Sequence, residues 1–165
     1  MTEHSRDPAI AVLDLAAPEC RTRLFRLWRR AYQVEADLIG IDDFPPLQVS
    51  LEGLAARPGT FYGVFQGQRL VGAIEVEELG SRALQISALV VDPDYFRRGV
   101  GRRLLQFVLG GSPSRVQVST SPANTPGVAL YCSMGFRQAE TLTSPEGVEL
   151  CSLEWQPSQT RGVAP

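Results

Sequence analysis

Histidine is almost missing from this chain of 165 residues: the only one is His4. Its absence elsewhere removes Ser-His-Asp and Cys-His catalysis and any histidine-based metal site. Cysteine is scarce as well. Cys20, Cys132 and Cys151 are isolated, odd in number and without C-x-x-C spacing, so neither a disulfide framework nor a zinc site is supported. No apolar run approaches the roughly 18 residues of a membrane span. The opening MTEHSRDPAI lacks a basic stretch leading into an apolar one, so it does not read as a secretory signal, and the expected location is the cytoplasm. A net charge of -2 gives no global attraction to nucleic acid or to anionic membrane, so any anion site must be local. Chemistry here must come from carboxylates, tyrosine, backbone amides or a bound cofactor.

What is present suits one globular domain. Hydrophobic residues make up 44% of the chain and charged residues 21%. The domain is expected over residues 10–156, between a flexible N-terminus (1–9) and a loose tail (157–165). Ile10 to Leu15 reads as a short strand. A helix starts at Pro18, with Leu24, Leu27, Trp28, Ala31 and Tyr32 at helical spacing. Arg23, Arg26, Arg29 and Arg30 lie largely elsewhere on the wheel and read as a solvated face. GIDDFPP (40–46) breaks the pattern, and a second helix follows over Leu47 to Ala56. Strands are expected over Thr60–Phe65, Leu70–Leu79 and Ala83–Val91, the last apolar enough for burial on both faces. A helix covers Gly99–Leu109, a strand Arg115–Thr120, and a short helix Pro126–Met134 with Thr125 as its N-cap. Two strands close the chain, near Gln138–Thr143 and Val148–Trp155. The order β-α-α-β-β-β-α-β-α-β-β describes a mixed α/β or α+β sheet without internal repeats.

One loop stands out. VVDPDYFRRGVGRRLLQFVL (90–109) runs from an apolar strand through two arginines and two glycines into a helix. The first helix amides have no internal partner and the helix dipole is positive there, while glycines let backbone approach a phosphate closely. The loop matches neither the P-loop nor the three-glycine dinucleotide fingerprint. Alone it also reads, with less weight, as an ordinary glycine-containing turn, and nucleotide binding at the same place is a further reading.

A second segment, VSTSPANTPGVALYCSMGFRQ (118–138), gives the loop a context. Together the two resemble the GNAT N-acetyltransferase superfamily, whose loop Gln/Arg-x-x-Gly-x-Gly/Ala follows a strand ending in Val-x-Pro. Val91, Pro93, Gly99 and Gly101 fit that loop; Asn124, Gly127, Ala129, Leu130, Tyr131, Gly135 and Phe136 fit the downstream pattern. Phe96 departs from it, standing where the family has Gln or Arg. A lost side-chain donor there would weaken phosphate binding by roughly 0.5–1.5 kcal/mol. The resemblance implies a central, mostly antiparallel sheet of six to seven strands, with one parallel pair splayed apart and about four flanking helices.

It also implies acetyl-CoA as cofactor. Leu89 to Val91 would serve the pantetheine arm through their backbone, with Val90 between. Arg97, Arg98, Gly99, Val100, Gly101 and Arg102 would take the pyrophosphate, and Asn124 would sit near the pantetheine. Tyr131 matches the tyrosine that protonates the leaving thiolate. The implied reaction is acetyl transfer to a primary amine, in a small molecule, an amino acid or a peptide N-terminus. The alternative is a sensor that binds acyl-CoA without turnover. No nucleic-acid or membrane partner is expected, and a homodimer is compatible with the family. An attacking amine must be neutral, so a base is needed. Glu75 and Glu77, on one face of the strand beside the cofactor strand, are the candidates, with Glu78 on the other face. They are equally readable as a solvated sheet edge. Ser87 is a weaker candidate, and Asp42 and Asp43 hint at a cationic acceptor.

Overall fold

The computed structural model describes residues 9–158; His4 and most of the expected tail lie outside them. The elements run β1 (Ile10–Val12), α1 (Pro18–Ile39), α2 (Leu51–Ala55), β2 (Thr60–Gln66), β3 (Arg69–Gly80), β4 (Ala83–Val91), α3 (Val100–Gly110), β5 (Arg115–Thr120), α4 (Thr125–Ser133), β6 (Arg137–Thr143) and β7 (Glu149–Trp155). Short 3-10 turns occupy Pro45–Gln48 and Pro93–Tyr95. The expected order of elements is the observed one.

Helix ends follow local chemistry. Pro18 starts α1, and Gly40, at φ 74°, closes it by donating its N–H to the Ala36 carbonyl. The single second helix expected over Leu47–Ala56 is two pieces. Its beginning is the 3-10 turn, Val49 is extended, and Ser50 caps α2 by accepting from the Gly53 amide at 2.9 Å. Trp28 reaches across from α1 and donates to the Pro46 carbonyl at 2.7 Å, which pins the turn. The cap of α4 is Asn124, not Thr125: its side-chain oxygen accepts from the Gly127 amide at 3.2 Å.

Seven strands form one sheet in the order β1-β2-β3-β4-β5-β7-β6. Every neighbouring pair is antiparallel except β4 and β5, which are parallel. Leu24, Leu27 and Trp28 of α1 and Leu54 of α2 pack with Phe61, Ala73, Ala88 and Val90 on one face. Val100, Leu104, Leu105 and Val108 of α3 pack with Val71, Ile74, Val116 and Leu153 on the other. Gly72 is where α3 comes closest. A Cβ there would lie 2.4 Å from the Val100 side chain, so only glycine permits the packing.

Two irregularities in β4 position the site. Opposite Glu75 and Val76 the register slips from Ala88 to Ile86, which leaves Ser87 as an extra residue in a bulge. Pairing of β4 with β5 runs from Ala83↔Arg115 to Ile86↔Val118 and goes no further. From the bulge onward the two parallel strands part, while β5 stays paired to β7 as far as Thr120. The strand edge from Ala88 to Val91 is thereby released from its partner.

Candidate active site

The parted strands open into a cleft of about 850 Å³, a volume suited to a small-molecule or cofactor site. One wall is the end of β4, the loop at 95–102 and the start of α4; the other is the second half of α1, Phe44 to Pro46 and the β6–β7 turn.

The loop is held from beneath. Asp92 is buried at 3% exposure and accepts from the Asp94 amide at 2.9 Å. Arg69 of β3 reaches its carboxylate at 2.7 Å and Arg30 of α1 at 3.2 Å. Burial pulls the Asp92 carboxyl upward, but the Asp94 amide and the two guanidinium groups outweigh it and leave the group below the usual carboxylate range. Arg30 therefore does not belong to the solvated face expected of it; it ties α1 to the mouth of the loop. Two guanidinium groups lie over the Tyr95 ring, Arg69 at 5.3 Å and Arg98 at 5.0 Å from its centroid. Gly99 caps α3 at φ 75°, and nothing lies within 4 Å of where its Cβ would stand. The backbone is thus open at the N-terminus of α3, where amides are unpaired and the helix dipole is positive.

Most residues expected to bind cofactor line this cleft: Leu89, Val90, Val91, Arg97, Gly99, Val100, Gly101 and Arg102, with Asn124 and Tyr131. The side chains of Val90 and Val100 are buried, so backbone is what they offer. Arg98 is outside the lining and stacks on Tyr95 instead. Phe96 also lines the cleft and is 45% exposed.

Tyr131 is buried at 5% exposure and packs edge-on against Phe136, with ring centroids 5.4 Å apart. Burial, and next the Glu35 carboxylate, push its phenol well above the ordinary tyrosine range. It is firmly protonated at neutral pH, as a proton donor must be.

The two expected bases lie elsewhere. Glu75 is fully buried, and neither it nor Glu77 lines the cleft. The Glu75 carboxylate accepts from Arg57 Nε at 2.6 Å and from the Gly59 amide at 3.2 Å. A Cβ on Gly59 would lie 2.4 Å from the Glu75 side chain, so glycine makes room for this pair. Arg57 in turn stacks over Trp28 at 5.1 Å, which ties Glu75 into the packing under α1. Glu77 accepts from the hydroxyl of Ser87, and it is Ser87, carried outward by the bulge, that lines the cleft. Glu78, Asp42 and Asp43 are exposed and outside the lining. Burial raises the thiols of Cys20 and Cys151, which makes both poor nucleophiles.

Sequence reasoning missed Glu35, which lines the cleft from α1. Burial pushes its carboxyl up to about 7, against a hydrogen bond from the Asn124 side chain that favours the charged form. A signal was there. Trp28, Ala31, Tyr32 and Glu35 recur at helical spacing on the apolar stripe of α1, where a carboxylate is out of place.

Comparisons with known proteins agree with this geometry. The Acetyltransferase (GNAT) family matches residues 21–136. UPF0157 protein YqkA of Bacillus subtilis is 37% identical over 131 residues, covering 78% of this chain but only 38% of that protein. N-alpha-acetyltransferase RimI of Mycobacterium tuberculosis is 34% identical over 117 residues, 67% of this chain and 72% of that one. The crystal structure of the ribosomal-protein-S18-alanine N-acetyltransferase from Escherichia coli superimposes with a TM-score of 0.69 at 18% identity, covering 95% of this chain and 98% of that one. The chain belongs to the acetyltransferase (GNAT) family. Among the described residues, no helix is long and apolar enough to cross a membrane.

Proposed function

We propose that this domain acetylates a primary amine, of a small molecule or a peptide N-terminus, by direct attack of the amine on the thioester. The observation that carries the reading is the parting of β4 from β5 above the glycine loop, with Tyr131 in the opening. Acetyl-CoA, when bound, supplies the activated acetyl group. The chain's own residues do the rest. The amides from Arg98 to Arg102, at the positive end of α3, would hold the cofactor's pyrophosphate. The released edge of β4 at Leu89 and Val91 would offer backbone groups to the pantetheine arm and, near the thioester, a donor to the developing oxyanion. A donor so placed is worth about 2.7–4 kcal/mol. Tyr131 holds a proton on its phenol oxygen for the thiolate that leaves. Asn124 caps α4 and supports the cleft wall beside it.

The test is to incubate the purified chain with acetyl-CoA and a panel of primary amines and to follow thiol release. Amine-dependent release supports the reading. Calorimetric binding of acetyl-CoA without release on any amine would overturn it in favour of an acyl-CoA sensor.

A further inference from the structure

The acceptor half of the cleft has a polarity pattern that narrows what can enter. Glu35 sits on α1 between Tyr32 and the apolar positions Val34 and Leu38, and Phe44 and Leu150 lie on the same cleft. Its partner is Asn124, whose amide also donates to Thr120 Oγ1 at 3.3 Å and whose oxygen caps α4. Asn124 is thus fixed from two sides, and its amide favours the charged form of the Glu35 carboxylate. The charged groups that share the cleft are few. Glu146 lies in the β6–β7 turn, and Arg97 and Arg102 lie at the loop end. Burial first, and then the Glu35 carboxylate, push the phenols of Tyr32 on α1 and Tyr131 on α4 upward, so both are neutral beside it.

We infer that Glu35 receives the acceptor's ammonium and takes its proton, and that the acceptor is a monoamine with an apolar group beside the nitrogen. Glu35 is half-buried on the cleft wall beside Tyr32 and Tyr131, and a single carboxylate at that end suits one ammonium. A polyamine or aminoglycoside would bring further cations against Val34, Leu38, Phe44 and Leu150, where Glu146 is, among the described residues, the only other carboxylate on the cleft. This inference rests on the amine-acetylation reading and adds the base and the substrate class.

The step balances. Glu35 takes one proton from the ammonium, and the free amine forms the C–N bond at the thioester carbonyl. The C–S bond breaks with its electron pair going to sulfur, and Tyr131 gives that sulfur a proton. The second proton of the nitrogen returns to the Tyr131 oxygen. One proton per turnover leaves through Glu35 to solvent. Glu35 is the catalytic residue; Asn124 is a positioning residue.

The raised carboxyl supplies a readout independent of turnover. A carboxyl whose folded value lies above its unfolded value binds more protons when folded. Its ionisation therefore costs stability as pH rises from the ordinary carboxylate range through about 7. Glu35→Gln removes that loss, so the variant should gain in Tm relative to wild type between pH 5 and pH 8.

The experiment uses the intact chain with 2-phenylethylamine, a peptide beginning with phenylalanine, and spermidine. Wild-type kcat/KM for the better monoamine should rise through about pH 7 and exceed that for spermidine at least tenfold. Whichever of the amine and the peptide is preferred identifies the source of the acceptor. Glu35→Gln should lose at least 100-fold in kcat, flatten the rise and keep wild-type acetyl-CoA binding by calorimetry. Asn124→Ser, with a shorter cap, should shift the midpoint of the rise upward. Preference for spermidine, or a wild-type pH profile in Glu35→Gln, would overturn the inference while leaving amine acetylation standing. A Glu35→Gln variant that gains no Tm at pH 8 relative to pH 5 would overturn the half-buried, proton-holding carboxylate itself. Failure of every amine, with acetyl-CoA bound, would instead refute the reading beneath it.

Discussion

The two walls of the cleft are built by different means. The wall proposed for the cofactor is one run of chain, Leu89 to Arg102, closed by the start of α4, and the surface it offers is largely backbone. Its shape comes from a bulge, a lost strand pairing and a glycine at φ 75°. The wall proposed for the acceptor is made of side chains from α1, Phe44 to Pro46 and the β6–β7 turn, about a hundred residues apart. A backbone surface tolerates many side chains and so carries a short, recognisable pattern. A side-chain surface assembled from distant elements carries none. The first wall should therefore fail through its geometry and charge anchors, and the second through packing beneath it.

The largest effect is expected under the acceptor wall. Arg57→Ala leaves the Glu75 carboxylate fully buried without its ion-pair partner, which should cost about 3–5 kcal/mol of stability by denaturant unfolding. Adding Glu75→Gln removes the charge and should recover part of that loss. If Glu75→Gln alone abolished turnover in a fully folded protein, Glu75 would be chemical and not structural, and the contrast between the walls would break.

Next comes the junction of the two walls. Tyr131→Phe keeps the ring against Phe136 and deletes only the proton donor. General-acid catalysis is typically worth 10²-fold or more, so kcat should fall about 100-fold with KM and stability nearly unchanged. An unchanged kcat in steady-state assays would remove Tyr131 from the chemistry.

A smaller effect tests the charge anchor of the cofactor wall. Asp92→Asn keeps the shape but weakens the grip of Arg30 and Arg69 on the strand end. Acetyl-CoA affinity by calorimetry should fall about tenfold, or 1.4 kcal/mol. The folded carboxyl lies below its ordinary value, so its stabilisation is present at neutral pH and lost as pH falls through the acid range. The stabilities of wild type and variant should therefore converge in acid and separate near neutrality.

This division also explains what the sequence could show. Ala83–Val91 and Arg115–Thr120 were legible to the residue because each is an apolar or alternating run between turn signals. Their separation beyond Ile86 was not legible from periodicity, since Ser87 becomes a bulge only against Glu75 and Val76 of another strand. Glu75 was misjudged for a related reason. Strand alternation gives a face but not whether Arg57 and Gly59 already occupy it. Glu35 escaped because a search for a base beside the cofactor strand looks along the sheet, whereas this carboxylate enters from a helix that crosses it. The hairpin β6–β7 was visible as strands, yet nothing local says that its turn closes the acceptor end.

The smallest predicted effect bears on the position where the chain departs from its family. Phe96 lies on the cleft, 45% exposed, at the place where the family has Gln or Arg. If the cofactor wall works through backbone, a donor added there is an increment and not a requirement. Phe96→Arg should tighten acetyl-CoA binding about three- to tenfold, in keeping with the 0.5–1.5 kcal/mol of one added hydrogen bond, with the gain shrinking as salt rises. A gain of several hundredfold would mean that the wild-type loop holds the pyrophosphate poorly and that side chains carry the cofactor wall after all. No gain at any salt concentration would mean that Arg97 already fills the role. Its guanidinium lines the same cleft and its backbone is held at φ 62°, a left-handed conformation that costs an arginine about 1–2 kcal/mol and turns the chain at the loop's tip. The double variant Phe96→Arg, Arg97→Gly separates the cases: glycine relieves the backbone strain and deletes the charge, so restored affinity in the double variant assigns phosphate contact to whichever arginine remains.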